Sequence, residues 1–324
     1  MKKFIHINAR SIDEAVSFLS RFGNRASVIA GGTDLLGKMK DEILPVYPEA
    51  LINIKTIPNL DFIREEKGVL RIGSMTRLED IAHEPVIKEK YAALAEAAGR
   101  TASPHIREMG RIGGNICQDI RCWYYRNPNN RFPCLRKGGG RCYAIEGDNR
   151  YHSIFGGSVE KGCYAVHPSD IAPALIALDG KVKTSKRDIR AEDFFKVGIK
   201  KTTVLDPDEI VKEIEIKRPV EGAKSCFLKF AIRKSIDFPI VNCAAAISTE
   251  KGKVKTARIC LNAVYVKPYR AGKAEDAMVG KIINEENAEK AADLTVADAK
   301  PMKDNRYMVQ IARIYIKRAI LGCK

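Results

Sequence analysis

The chain has 324 residues, enough for two domains that each bury a core. Its formal net charge is +16, but the basic residues are dispersed and no block of five or six like charges marks a nucleic-acid tail. No apolar run approaches the roughly 20 residues of a membrane span, and residues 1–8 lack the apolar core of a secretory leader, so a cytoplasmic protein is expected.

In chain order, Ser11-Ile12-Asp13-Glu14 is a capping box that opens a helix. Ala15, Val16, Phe18, Leu19 and Phe22 give it an apolar stripe of helical period, and Gly23 closes it. Residues 26–30 read as a short buried strand running into Gly31-Gly32-Thr33-Asp34. Residues 51–54 and 69–73 are further strand candidates, and 77–83 and 88–99 look helical. Residues 117–165 differ: they are rich in Gly, Arg, Asn and Cys and have no clear period. A loop of that length in a compact domain needs something to hold it. A helical run returns at 171–178, followed by a strand at 213–217 and a boundary near 219–224. Beyond it, strands are expected at 227–232, 244–249 and 257–264, and a long amphipathic helix at 305–321. The predicted class is α+β.

Two glycine motifs carry the first functional signal. Ala30-Gly31-Gly32-Thr33-Asp34-Leu35 follows a strand, and Ile112-Gly113-Gly114-Asn115-Ile116 follows a short extended stretch about eighty residues later. Paired glycines let backbone amides approach a pyrophosphate, and Thr or Asn adds donors. Neither motif is the dinucleotide G-x-G-x-x-G or the P-loop. A single Gly-Gly is usually only a turn, so it is the pairing of the two that is informative.

At these residues the chain resembles the FAD subunits of the xanthine dehydrogenase and carbon monoxide dehydrogenase family. Residues 28–35 resemble that family's first flavin loop. Ala102-Ser103-Pro104-His105-Ile106-Arg107 and Gly110-Arg111-Ile112-Gly113-Gly114-Asn115 resemble its second. Ile72-Gly73-Ser74-Met75-Thr76, Pro168-Ser169-Asp170 and residues 230–239 extend the likeness over nearly the whole chain. The resemblance implies a two-part FAD-binding domain of the p-cresol-methylhydroxylase type over 1–220 and a smaller C-terminal α+β domain over 221–324. It further implies that Gly31, Gly32, Thr33 and Asp34 wrap the pyrophosphate and that Gly113, Gly114 and Asn115 close on it. Asp170 would hold a polar part of FAD, and Lys229 would stand near the isoalloxazine unless it is a surface strand lysine. Ile29, Ala30, Leu35, Thr76, Ala102, Ile112 and Val211 complete the implied cofactor contacts. Where many relatives have a small or polar residue this chain has Cys117, which is not assigned to a metal.

The nine cysteines of a cytosolic chain are not expected to form structural disulfides. Cys226, Cys243, Cys260 and Cys323 lie in apolar surroundings and read as small buried hydrophobes. Cys122, Cys134, Cys142 and Cys163 crowd into an insert of about fifty residues between Gly-Gly-Asn and Pro-Ser-Asp. Thiolates suit iron–sulfur clusters and zinc, but the spacing matches neither C-x₂₋₄-C zinc pairs nor either ferredoxin pattern. Spacing alone leaves a metal site, free thiols or a redox pair open. The insert also resembles that of the beta subunits of 4-hydroxybenzoyl-CoA reductases, which implies a [4Fe–4S] cluster on those four cysteines. Between Arg121 and Arg150, seven basic residues face two acidic ones, a balance that would offset an anionic cluster.

The histidines form no metal-ligand pair, and no nucleophile–base pair or catalytic residue stands out. The resemblance implies an electron-transfer subunit, a role that needs no such pair. The implied partners are a large molybdenum-cofactor subunit, a small subunit with two [2Fe–2S] clusters, and an external carrier such as ferredoxin or NAD(P). Aromatic acyl-CoA reduction and heterocycle hydroxylation are the reactions in view. A free-standing flavoenzyme is the alternative, and a basic zinc protein binding nucleic acid is a third class that the flavin loops argue against.

Overall fold

The computed structural model describes residues 1–157, 162–199 and 201–324, so residues 158–161 of the cysteine-rich insert lie outside it. The chain begins with a small parallel sheet of β1 (Ile5–Asn8), β2 (Ala26–Ile29) and β3 (Ala50–Asn53), in the order β1-β3-β2. The helix Ile12–Phe22 connects its edge strands. Ser11 Oγ accepts from Glu14 N at 3.1 Å, Gly23 ends the helix at φ 56°, and Ala15 and Leu19 are buried.

A second sheet has β4 (Ile63–Glu66), β5 (Val69–Gly73), β6 (Lys181–Thr184), β7 (Asp188–Arg190) and β8 (Val211–Lys217), all antiparallel, in the order β4-β5-β8-β6-β7. The third has β9 (Lys224–Phe230), β10 (Val241–Glu250), β11 (Lys253–Asn262) and β12 (Tyr269–Arg270), in the order β12-β11-β10-β9. The helix Ile171–Ala177 has every residue buried because it is packed against β10 and β11 of this third sheet. The helix Ala92–Gly99 packs on β9, so Phe227, Ala244 and Cys260 share one core with Leu70, Leu94 and Leu175. A separate core forms between the third sheet and the helices Glu285–Val296 and Tyr307–Leu321.

Several elements differ from expectation. The helix predicted over 88–99 is two helices, Pro85–Lys90 and Ala92–Gly99, broken at Tyr91 (φ −129°, ψ 45°). The Tyr91 ring is wholly buried, and core packing sets this backbone against a helical period. The second glycine segment, for which no helix is expected, forms a short one, Ile112–Ile116, after an extended Arg111. The expected strands of the C-terminal region extend further, β10 and β11 having ten residues each. Among its described residues the insert contains only short 3₁₀ turns at Pro128–Asn130 and Leu135–Lys137 and isolated bridges, Arg121 to Val166, Cys134 to Arg141 and Phe155 to Lys300. Among the described residues no helix is long and apolar enough to cross a membrane.

Candidate cofactor site and cysteine cluster

The two glycine segments meet. A Cβ on Gly31 would lie 2.0 Å from Met109 O, so only glycine lets the first loop abut the chain leading into the second. Gly32 sits at φ 73°, a left-handed conformation that side chains resist. Gly113 packs on Ser74, where a Cβ would come within 2.8 Å, and its N–H donates to Ser74 O at 2.9 Å. A Cβ on Gly114 would meet nothing within 4 Å.

Between the segments opens a cavity of about 790 Å³. Ile29, Ala30, Gly31, Gly32, Thr33, Asp34 and Leu35 line it from the first loop. Ala102, Gly113, Gly114, Asn115, Asp170 and Val211 line it from elsewhere. Thr76 and Ile112 do not reach it; they brace it. Thr76 O accepts from Ile112 N at 3.0 Å, and Thr76 Oγ1 is engaged with the Phe62 backbone at 3.0 and 3.2 Å. Lys229 also lies off the lining and is no surface lysine. Its Nζ is 2.7 Å from Asp170 Oδ2 and 2.9 Å from Arg100 O, with Asn242 Nδ2 donating to Asp170 Oδ1 at 2.7 Å. Burial raises the Asp170 carboxyl above its ordinary range against the pull of Lys229.

Sequence reasoning missed part of the lining. Lys38, Arg111, Arg121 and Arg126 bring positive charge to the cavity, and Ile236, Asp237 and Phe238 cover it from the C-terminal domain. Ile236 (φ 70°) donates its N–H to the carbonyl of Ala102 (φ 48°) at 3.0 Å, so two strained residues meet at the rim. Residues 236–238 stood in a recognised motif and Lys38 lies one helical turn from Asp34, but nothing in the spacing joined Arg121 to that loop. Arg111 Nε is buried with no hydrogen-bond partner among the described residues. Cys117 lines the cavity with its side chain exposed there, and desolvation by the surrounding protein pushes its thiol up to about 12. A concave, mainly apolar space with a few convergent cations and an unpaired buried donor suits a phosphate-bearing flavin.

The insert packs beside this cavity. Cys134 and Cys163 are buried in one apolar cluster with Ile43, Ile120 and Tyr125, and Cys122 packs against it. Cys122 interacts electrostatically with Cys163 and Cys142, and Cys142 with Cys163 and Cys134, so the four sulfurs form one group. Burial raises the Cys122 and Cys142 thiols, against backbone N–H groups of Tyr124 and Tyr125 at Cys122 and of Ala144 and Tyr164 at Cys142. Arg136 Nε is 3.1 Å from Cys163 Sγ, and His152 Nε2 is 3.2 Å from Cys122 Sγ. Among the described residues there is no disulfide, and no three His, Cys, Asp or Glu converge tightly enough for a single metal ion.

The insert is not confined to the surface of the flavin domain. Ile154 N donates to Val264 O at 2.9 Å, Asn305 Nδ2 donates to His152 O at 2.9 Å, and the Phe155 ring stacks on Tyr269 at 3.9 Å. It is therefore wedged between the first glycine loop and the C-terminal domain.

Comparison with known proteins agrees with this architecture. Residues 2–219 match the FAD-binding domain found in molybdopterin dehydrogenases, and residues 227–322 match the C-terminal domain of carbon monoxide dehydrogenase flavoproteins. The chain is 32% identical to the aldehyde oxidoreductase FAD-binding subunit PaoB of Escherichia coli, over 97% of this chain and 96% of that one. It is 28% identical to the carbon monoxide dehydrogenase medium chain of Hydrogenophaga pseudoflava, over 98% and 96%. The solved carbon monoxide dehydrogenase of the same organism superposes with a TM-score of 0.78 at 26% identity, covering 99% of this chain and 97% of that one.

Proposed function

Since the chain belongs to the FAD-binding subunits of the molybdopterin dehydrogenase family, we propose that it carries electrons between a partner's molybdenum site and an external acceptor or donor. One observation carries this reading: glycine segments eighty residues apart close together on a single cavity whose lining includes four cationic side chains. FAD, when bound, supplies one- and two-electron transfer. Gly31 to Asp34 and Gly113 to Asn115 hold it, and Asp170, pinned by Lys229 and Asn242, offers a fixed polar contact. Ile236 and Phe238 offer it an apolar contact from the C-terminal side.

The partners in this proposal are a large molybdenum-cofactor subunit and a small subunit with two [2Fe–2S] clusters, with ferredoxin or NAD(P) as external carrier. The relatives' names include a medium chain and an FAD-binding subunit, which accords with a multi-subunit assembly. Aromatic acyl-CoA reduction and heterocycle hydroxylation remain the reactions in view, with a cytoplasmic location. Co-purification from the native host tests the assembly. Both partner subunits should accompany the chain, and a functional homo-oligomer would overturn it.

We further propose that Cys122, Cys134, Cys142 and Cys163 ligate one [4Fe–4S] cluster, as in 4-hydroxybenzoyl-CoA reductase beta subunits. Four thiols that act on one another electrostatically, with backbone N–H groups and Arg136 directed at sulfur, support an anionic thiolate cluster on this donor set. Iron and acid-labile sulfide analysis tests it. Four irons, lost in Cys142→Ser while FAD is retained, is the expected outcome; zinc or two disulfides would overturn the cluster and leave the flavin reading intact.

A further inference from the structure

Three parts of the chain meet at Arg121. Its guanidinium lies 2.9 Å from Asp34 Oδ1 in the first glycine loop, donates to Asp119 O at 2.8 Å, and stands 4.2 Å over the ring of Phe238 from the C-terminal domain. Arg126 places a second guanidinium 2.9 Å from the same Asp34 oxygen and donates to Ile120 O at 3.1 Å and Asp119 O at 3.0 Å. Asp34 Oδ2 accepts from Asp119 N at 3.0 Å and lies 3.7 Å from Lys38 Nζ, which is 3.3 Å from Asp119 Oδ2. Two carboxylates thus face three cations, and all three cations line the cavity.

The same network runs on toward the cysteines. Tyr125 donates to Asp119 Oδ2 at 2.7 Å, and Tyr125 packs in the apolar cluster with Cys134 and Cys163. Asp119 also attracts Arg136, which contacts Cys163 Sγ and donates to Gly198 O and Ile199 O at 2.8 Å. Asp34 belongs to the loop that ends β2, while Arg121 and Arg126 belong to a segment with little hydrogen-bonded structure of its own. The glycine loop and the insert therefore hold each other in place.

We propose that the insert is a working part of the flavin site. Arg121 acts as a positioning residue that clamps Asp34, and with Arg126 and Lys38 it leaves a surplus positive charge for the pyrophosphate. Binding of FAD then orders the insert, and an ordered insert tightens FAD, by the same factor in both directions. This rests on the reading of the cavity as a flavin site.

The test uses the full chain in its native assembly, with flavin removed and titrated back, and hydrogen–deuterium exchange over residues 119–150. In the wild type, FAD should slow exchange across the insert. Arg121→Gln should weaken FAD about tenfold or more and abolish that protection, Arg121→Lys should restore part of both, and Arg131→Gln, at an exposed insert position, should change neither. Should Arg121→Gln fail to fold, Arg126→Gln and the wild-type comparison still decide. A wild type that binds FAD with insert exchange unaltered, or an Arg121→Gln that keeps wild-type affinity, overturns the inference alone. A wild type that binds no FAD overturns the flavin reading along with it.

Discussion

The flavin cavity and the cysteine insert adjoin but are ordered by different means. Around the cavity the backbone does the positioning: β2 aims the first loop, Gly31 and Gly113 permit close approach, and Thr76 braces the second segment through its carbonyl. The insert has almost no ladder or helix, and its order comes from side chains. Examples are the Asp34–Arg121–Arg126 ion group, the edge-on Tyr124 and Phe132 rings at 5.2 Å, and the Phe155–Tyr269 stack. A backbone-built site tolerates exchange of side chains that only line it, whereas a site built from side chains is open to each of its pairings.

The largest effect is expected where the cavity departs from this pattern and relies on one buried pair. Lys229→Met would strand Asp170, which is 3% exposed, without its cation. Removing one partner of a buried ion pair costs about 3–5 kcal/mol. Chemical denaturation should register a loss of that size, and a loss below about 1 kcal/mol would mean that Asp170 is held by Asn242 alone.

The next effect tests the glycines against one another. Gly31→Ala forces a Cβ onto Met109 O and should destabilise the fold by about 1–3 kcal/mol while weakening FAD binding. Gly114→Ala has open space around its Cβ, so its stability should match the wild type and any effect should appear only in flavin affinity. Equal stability losses in the two variants would contradict the backbone account of the cavity.

These contrasts bear on what could be read from residues alone. The capping box at Ser11, the strand Val69–Gly73 and the two glycine motifs are local signals, and the fold contains each of these elements. The strands β4, β6 and β7 are three or four residues long and charge-rich, so they carry too little period to detect; pairing of β4 with β5, of β6 with β8 and of β7 with β6 makes them strands. The break at Tyr91 and the burial of Lys229 come from tertiary packing that local pattern does not encode. The Asp34–Arg121 pair joins residues with no spacing rule between them, which is why the insert's share in the cavity escaped the sequence reading.

Acid should separate the two regions further. Burial opposes ionisation of Asp34 and Asp119, yet Arg121, Arg126 and Lys38 at Asp34, and Lys38, Arg126 and Arg136 at Asp119, hold both carboxyls below their usual range. A depressed folded-state pKa stabilises the fold fully above the ordinary carboxylate value of about 4, and that stability is lost as pH falls through the folded-state value. Trp123 is the single tryptophan and lies in the insert, so its emission reads the insert while circular dichroism reads the sheets. Below about pH 4 the emission change should precede loss of the far-ultraviolet signal; coincident transitions would show one cooperative unit.

The smallest effect probes how much redundancy the side-chain network contains. Asp148 O accepts from both Trp123 Nε1 and Tyr124 OH, each at 3.0 Å. Tyr124→Phe leaves that carbonyl satisfied, so the loss should fall at or below the about 0.5–1.5 kcal/mol of an ordinary hydrogen bond. The Tyr124 hydroxyl also fills the space that a side chain at residue 147 would need. A Cβ on Gly147 would lie 2.2 Å from that oxygen and 2.8 Å from Tyr143 O. Gly147→Ala should therefore cost more than Tyr124→Phe. The double variant should cost less than the sum of the two, because removal of the hydroxyl relieves the closer clash while the backbone contact remains. A cycle of the four proteins, followed by Trp123 emission in urea, measures the coupling. Additive losses would show that the clash is absorbed elsewhere and that this corner of the insert is looser than its packing indicates.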